Sequence, residues 1–337
     1  MTVESAAPSW RKIFDAYRNP SHLRSSIELA ITAGPLLALW GFAIWACAHG
    51  WWWAAALSLP AAAFLVRLFM IQHDCGHSAF FRWKPLNDWT GRIIGVLTLT
   101  PYDYWRRTHA IHHGTSGNLD RRGLGSVEML TVDEYRAKGW LGRTAYRLYR
   151  NPAVLFVIGP AYMFILQHRL PIGLMRDAKS WFSVMATNAG VAAIVVALIL
   201  LPGPGPFFAV VIPSLAIAAS VGVWLFYVQH QYEGVAWARD GDWHAQDAAL
   251  EGSSHYDLPP VLRWLTANVG VHHVHHVSSR VPFYRLSQVL RDHPELKAVG
   301  RVTLWQSIKG VRLALWDEAS RRLVSFAEAK RLRDRSI

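Results

Sequence analysis

Residues 29–77 read LAITAGPLLALWGFAIWACAHGWWWAAALSLPAAAFLVRLFMIQHDCGH. Residues 29–48 form an uncharged apolar run, and residues 51–70 form a second one broken only by Arg67. About twenty helical residues cover roughly 30 Å, the thickness of a bilayer's hydrocarbon core. Only His49-Gly50 separates the runs, which leaves room for nothing but a tight reversal. A membrane hairpin is expected. Through Ile71-Gln72 it delivers His73-Asp74-Cys75-Gly76-His77 directly to the membrane surface.

Residues 184–201 and 207–228, joined by Pro202-Gly203-Pro204-Gly205-Pro206, form a second hairpin of the same kind. Composition agrees: at 52% hydrophobic and 17% charged residues, the chain is apolar for a soluble protein and ordinary for a membrane one. Residues 152–167 are also apolar but short, and they contain Pro160. A crossing there would put the later histidines on the opposite side from the earlier ones, so this stretch is read as interfacial or buried, and residues 91–100 likewise. With no internal repeat or low-complexity linker, the chain reads as one domain, 1–337, with its core at about 28–300. Residues 305–333, with Ile308, Val311 and Leu315 on one side, are expected to form a C-terminal amphipathic cytoplasmic helix packed on the cap.

Charge orients the hairpins. Their tips carry no Lys or Arg, whereas the N-terminal arm has Arg11, Lys12, Arg18 and Arg24, and residues 82–179 are rich in both types. Cytoplasmic loops carry that excess, so both termini and the middle segment are expected in the cytoplasm. The net charge of +12 then fits anionic lipid headgroups, and secondarily an acidic partner, without invoking nucleic acid. The polar N-terminus and the length of the first apolar run do not read as a cleavable signal peptide. Two cysteines, Cys47 and Cys75, make no disulfide framework.

Three histidine clusters carry the chemistry: His73 and His77; His109, His112 and His113; and His272, His273, His275 and His276. Residues three and four apart share a helix face, so each cluster except His273 presents its imidazoles together. Eight facing imidazoles exceed what one zinc would use and point to two metals with positions left for a substrate such as O2. All-imidazole ligation suits zinc, copper, iron and nickel. Iron is favoured, since a zinc pair for hydrolysis would want carboxylate bridges and only Asp74 stands at cluster spacing; affinity alone does not separate iron from copper. His230 ends the second hairpin on the cytoplasmic side, where a ninth ligand would reach the site. Ligand imidazoles hand their other N–H to a carboxylate or carbonyl, and Asp74, Asp120, Glu233, Asp247 and Glu251 are candidates. His273, His255 and Asn268, the last one turn before His272, are further candidates for contact with the ligands.

These clusters resemble the three histidine boxes HxxxH, HxxHH and HxxHH of the membrane fatty acid desaturases. The flanking Phe80-Phe81, residues 86–91, residues 226–230, residues 250–254, residues 268–270 and residues 277–286 are similar to the acyl-lipid, Δ12-type branch, and the likeness covers about residues 28–300. The resemblance implies an all-α integral membrane protein of four transmembrane helices, with a cytoplasmic helical cap that holds a di-iron centre. It implies O2-dependent insertion of a cis double bond into an acyl chain, with electrons from a separate ferredoxin or cytochrome b5-type donor, since no HPGG heme motif is present. Carried over, the ligands are His73, His77, His109, His112, His113, His272, His275 and His276, with His230 as the ninth. Stearoyl-CoA desaturases place an asparagine four residues before that ninth histidine. Here the position is Phe226, which leaves Asn268 as the substitute. Rival readings are a lipid or carotenoid hydroxylase or ketolase of the same superfamily, a membrane zinc hydrolase, and a non-enzymatic metal transporter or sensor. The last would want polar membrane helices, and these are aliphatic.

Overall fold

The computed structural model describes residues 9–334 and contains four helices long and apolar enough to cross a membrane. The first, α1 (His22–Ala48), starts at Ser21, whose hydroxyl accepts the Arg24 amide at 3.3 Å and so satisfies one free N–H of the first turn. The chain reverses at Gly50, held at φ +87°, where a side chain would be strained. A 3-10 turn at Trp52–Leu57 then leads into α2 (Ser58–Gly76). Trp45, Trp51, Trp52 and Trp53 stay exposed around this tip, as indoles at a membrane–water interface do.

The short helices α3 (Lys84–Leu97) and α4 (Tyr102–Thr115) follow α2 and bring the chain back across its end. The second long pair is α5 (Ala178–Leu200) and α6 (Ile212–His230). The apolar window of the span containing α2 is 56% buried, against 17% for α5, so α2 is the central helix, packed against both α1 and α6. Arg67, the charge inside the second apolar run, is 1% exposed and neutralised within the protein. Its guanidinium pairs with Glu28 of α1, donates to the Thr32 hydroxyl at 3.1 Å and to the Trp264 carbonyl, and lies 4.1 Å from the centre of the Trp264 ring. A charge at membrane depth must be paired in this way.

Two π-helical turns, Val154–Ile158 and Phe207–Val211, each end two residues before a proline, Pro160 and Pro213. A proline ring clashes with the carbonyl one turn back and removes a hydrogen bond, and a widened turn accommodates both. Residues 152–167 fall largely in a bent pair, Trp140–Tyr149 and Val154–Arg169, that turns by 61° and has the shape of a broken span or re-entrant segment.

Four short helices follow α6: α7 (Ala245–Glu251), α8 (Pro260–Leu265), α9 (His272–Val277) and α10 (Phe283–Asp292). The chain outside the long helices is mostly, not wholly, helical. β2 (His255–Asp257) pairs in parallel with β3 (Arg301–Thr303), and β1 (Leu130–Thr131), β4 (Leu315–Asp317) and β5 (Arg322–Val324) make a three-stranded sheet in the order β1-β4-β5. The helix expected over residues 305–333 is therefore corrected. A helix at Leu304–Gly310 ends at a glycine, a β-hairpin follows, and a last helix begins at Phe326. Leu315 and Val324 are fully buried on the strands, while Ile308 is 49% exposed. The Asp317 carboxylate accepts the Ser320 amide at 3.1 Å and closes the hairpin turn, a local bond that competes with helix.

Candidate metal centre

The ends of α2, α4, α6 and α9 meet at one place. His73 lies in the last turn of α2 and His77 follows its end; His109, His112 and His113 lie on α4; His230 is the last residue of α6; and His272, His275 and His276 lie on α9. Local bonds hold these ends in register. Gln72, next to His73, donates to the Thr100 carbonyl at 3.2 Å and accepts from the Thr98 hydroxyl at 2.7 Å, which pins the turn between α3 and α4. The start of α9 is held by Tyr256, whose amide donates to the Gly270 carbonyl at 2.7 Å. A Cβ on Gly270 would stand 2.4 Å from the Tyr256 carbonyl oxygen, so only glycine permits that approach.

The nine histidines sort into two groups. His73, His77, His109, His113 and His275 form one; His112, His230, His272 and His276 form the other, and in each group the ligand atoms lie within 4.8 Å of one another. Helix geometry explains the division. Positions i and i+4 point nearly the same way, so His109 and His113 go together, as do His272 and His276, while the third histidine of each box leans toward the other group.

The nitrogens converge tightly. His109 Nε2 lies 3.1 Å from Nε2 of both His77 and His113, and His275 Nε2 lies 3.1 Å from His113 Nε2. In the second group His230 Nε2 lies 3.1 Å from His112 Nε2 and 3.0 Å from His272 Nε2, which is itself 3.0 Å from His276 Nε2. Ligands at right angles around one atom have this spacing when each bond is about 2.2 Å, the nitrogen separation divided by √2 and close to ordinary metal–imidazole lengths. The donor set therefore fits a pair of metal ions.

Burial first, and the neighbouring imidazoles second, hold His77, His109, His275 and His276 well below the ordinary histidine range, and the same two causes act on His112 and His272. Burial pushes His113 down to about 3. Neutral imidazoles with free lone pairs are the metal-binding form.

Three of the other ring nitrogens, on His73, His112 and His230, have partners of their own, whereas His272 Nδ1 is buried without one among the described residues. Asp74 lies 3.4 Å from His73 Nδ1, and its second oxygen accepts the Phe283 amide at 2.7 Å. His112 Nδ1 meets the Ser126 hydroxyl at 3.1 Å; His230 Nδ1 meets the Gly252 carbonyl at 3.1 Å and the Ser116 hydroxyl at 3.3 Å. Trp105 stacks on His109 with ring centres 4.5 Å apart. Of these partners only Asp74 was expected. Ser116, four residues after His112, carried a helical-spacing signal; Ser126 and Gly252 arrive from distant chain and carried none.

The remaining candidates lie elsewhere. Glu251 is exposed, and its backbone carbonyl, not its carboxylate, accepts the Tyr232 hydroxyl at 2.8 Å. Asn268 is turned to Ser287, at 2.7 Å, and to the Phe283 carbonyl, at 3.3 Å. His273 Nε2 meets the Leu296 carbonyl at 3.0 Å and His255 Nδ1 the Lys297 carbonyl at 2.7 Å, so both hold the backbone at residues 296–297. Asp120 pairs with Arg239 at 2.6 Å, and Glu233 and Asp247 are exposed. Phe226 lays its ring 5.0 Å from that of His112 and 5.4 Å from that of His230, an apolar wall beside the four-histidine group.

Known proteins resemble this chain. Residues 50–307 match the model of the fatty acid desaturase family. A fatty acid desaturase of Bacillus subtilis (strain 168) is 42% identical over 317 residues, which is 94% of this chain and 90% of that one. An sn-1 acyl-lipid omega-3 desaturase (ferredoxin) of Synechocystis is 26% identical over 79% of this chain and 74% of its own. An sn-1 oleoyl-lipid 12-desaturase of Anabaena variabilis is 24% identical over 73% of this chain and 70% of its own. The chain belongs to the fatty acid desaturase family and is an oxidoreductase.

Proposed function

We propose that this protein inserts a cis double bond into the acyl chain of a membrane lipid, using O2 and two electrons from a separate ferredoxin or cytochrome b5-type donor. Two iron ions are held, one by His73, His77, His109, His113 and His275, the other by His112, His230, His272 and His276. The observation that carries this reading is the convergence of nine buried or half-buried imidazoles in two adjoining groups, with no carboxylate in either. The relatives named for acyl-lipid substrates, one of them for ferredoxin, support the substrate and donor classes.

The balance is R–CH2–CH2–R′ + O2 + 2e− + 2H+ giving R–CH=CH–R′ + 2H2O. When bound, iron supplies the one-electron chemistry that lets O2 oxidise an unactivated methylene. The chain's own residues position that methylene. Met70, Ala267, Val269, Phe283 and Leu286, with Asp74, line a cavity of about 10 Å³ that also touches His73 and His275 and marks the mostly apolar wall beside them. A featureless chain can be held against such a wall only by shape, and fixing it beside the histidines is what selects the carbons that react. Phe226 keeps water from the far side of the four-histidine group.

The same geometry supports a topology. All three boxes meet at one site, so an even number of crossings separates the second from the third. α5 and α6 supply two, and the bent segment Val154–Arg169 then enters and leaves on one side. The basic N-terminal arm and middle segment put that side, with both termini, in the cytoplasm.

The test is expression in a host of known lipid composition, followed by mass spectrometric location of new double bonds. New unsaturation that needs O2 is expected. Hydroxylated products without new double bonds would overturn the reading in favour of a hydroxylase.

A further inference from the structure

An open cleft of about 720 Å³ lies between α8 and α10. Arg263, Arg291, Lys297 and Arg301 line it, and the one acidic lining residue, Asp257, is already paired with Arg301 at 2.7 Å. Among the described residues, no ion pair engages Arg263, Arg291 or Lys297. Three uncompensated cations around one concavity make an anion site.

Its position says which anion. α8 packs against membrane helix α2, yet Val261 is 70% and Leu262 and Trp264 each 40% exposed. A short helix that carries an arginine among exposed apolar side chains beside a membrane helix belongs at the headgroup level. The cleft also backs onto the histidines. Asn268, Ser287 and Leu290 face it, whereas the neighbouring Ala267, Val269 and Leu286 line the small cavity at His73 and His275. Consecutive residues thus line the two spaces. They include two successive non-glycine residues in the left-handed region, Ala267 at φ +49° and Asn268 at φ +54°, held by the Asn268 bonds to Ser287 and Phe283. Such backbone is costly and is kept where the surroundings demand it.

We propose that this cleft seats the phosphate of a phospholipid substrate, with Arg263, Arg291 and Lys297 as its cationic partners. The acyl chain runs from there past the Ala267-Asn268 turn to the mostly apolar wall at His73 and His275. The inference rests on the desaturase reading and adds the headgroup class to it.

The test uses the iron-loaded full chain with two substrates of identical acyl chains, phosphatidylglycerol and the uncharged monogalactosyldiacylglycerol. Each cation near the headgroup is worth roughly fivefold in binding. The combined R263Q, R291Q, K297Q variant should therefore lose the preference for phosphatidylglycerol by roughly a hundredfold, read as KM. Native mass spectrometry should show less phosphatidylglycerol retained by the variant, while its iron content matches the wild type. The exposed control R143Q should behave as wild type, and R291Q alone gives a smaller loss if the triple variant folds poorly. Equal use of both lipids by wild type and variant, with double bonds still formed, would overturn the cleft assignment alone. So would desaturation of palmitoyl-CoA with neither lipid used, or competition by inorganic phosphate without any lipid preference. Absence of double bonds from every substrate would overturn the desaturase reading, and lipid retention would still report on the cleft.

Discussion

Replacing His230 by alanine separates ligand from scaffold. Its Nε2 stands 3.1 and 3.0 Å from those of His112 and His272, so removal takes the four-histidine group to three. Loss of an outer partner alone lowers metal affinity by roughly 10- to 100-fold, and loss of a direct ligand exceeds that. The five-histidine group keeps every member. Iron measured by plasma mass spectrometry should therefore fall from two per chain toward one, with desaturation abolished and the protein still folded. His273→Ala is the counterpart. That ring is also buried but bonds the Leu296 carbonyl at 3.0 Å. Its loss should cost about 1–3 kcal/mol of stability, the penalty of one orphaned buried group, and leave both irons in place. Two irons and full activity in His230→Ala, or iron loss in His273→Ala at a temperature where it is folded, would refute the assignment.

Glu28→Gln leaves Arg67 buried without its counter-charge and should cost about 3–5 kcal/mol, whereas the double variant Glu28→Leu, Arg67→Met should cost less than either single change, as read by thermal melts in detergent; additive losses would show that the pair is not coupled. The metal-free protein should lose stability as pH falls. Folded His113 titrates at about 3 while the unfolded residue takes its proton near 6.5, so between those values the unfolded state binds more protons and is favoured; a melting temperature flat between pH 7 and pH 5 would contradict this.

Much of the site was legible because its histidines come in helical pairs. Spacings of three and four residues identify shared faces without any tertiary information, and eight of the nine converging histidines follow from them. His230 was reached by a different route, its place at the end of an apolar run. Asn268 and Glu251 were drawn in by nearness in sequence and by resemblance, and neither reaches the histidines. The backbone at Asn268 turns left-handed and aims its side chain at Ser287, and Glu251 lies on the exposed side of α7. The C-terminal segment misled for a different reason. Ile308, Val311 and Leu315 satisfy a loose helical pattern, but a glycine stop and an Asp317 turn put Leu315 on a strand, where it is buried.

By itself the amino-acid sequence determined the four long apolar helices, the short links within each pair and the three histidine-bearing faces. Each of these depends on composition and on a period of 3.6 residues, both local properties. Tertiary structure alone decided which imidazoles converge, because each third-box and second-box helix divides its histidines between the two groups according to how it is rotated against its neighbours. It also decided that Arg67 is paired with Glu28, that Ser126 and the Gly252 carbonyl meet the rings of His112 and His230, and that a basic cleft backs onto the histidines. Those contacts join residues far apart in the chain, and no local pattern encodes the packing that brings them together.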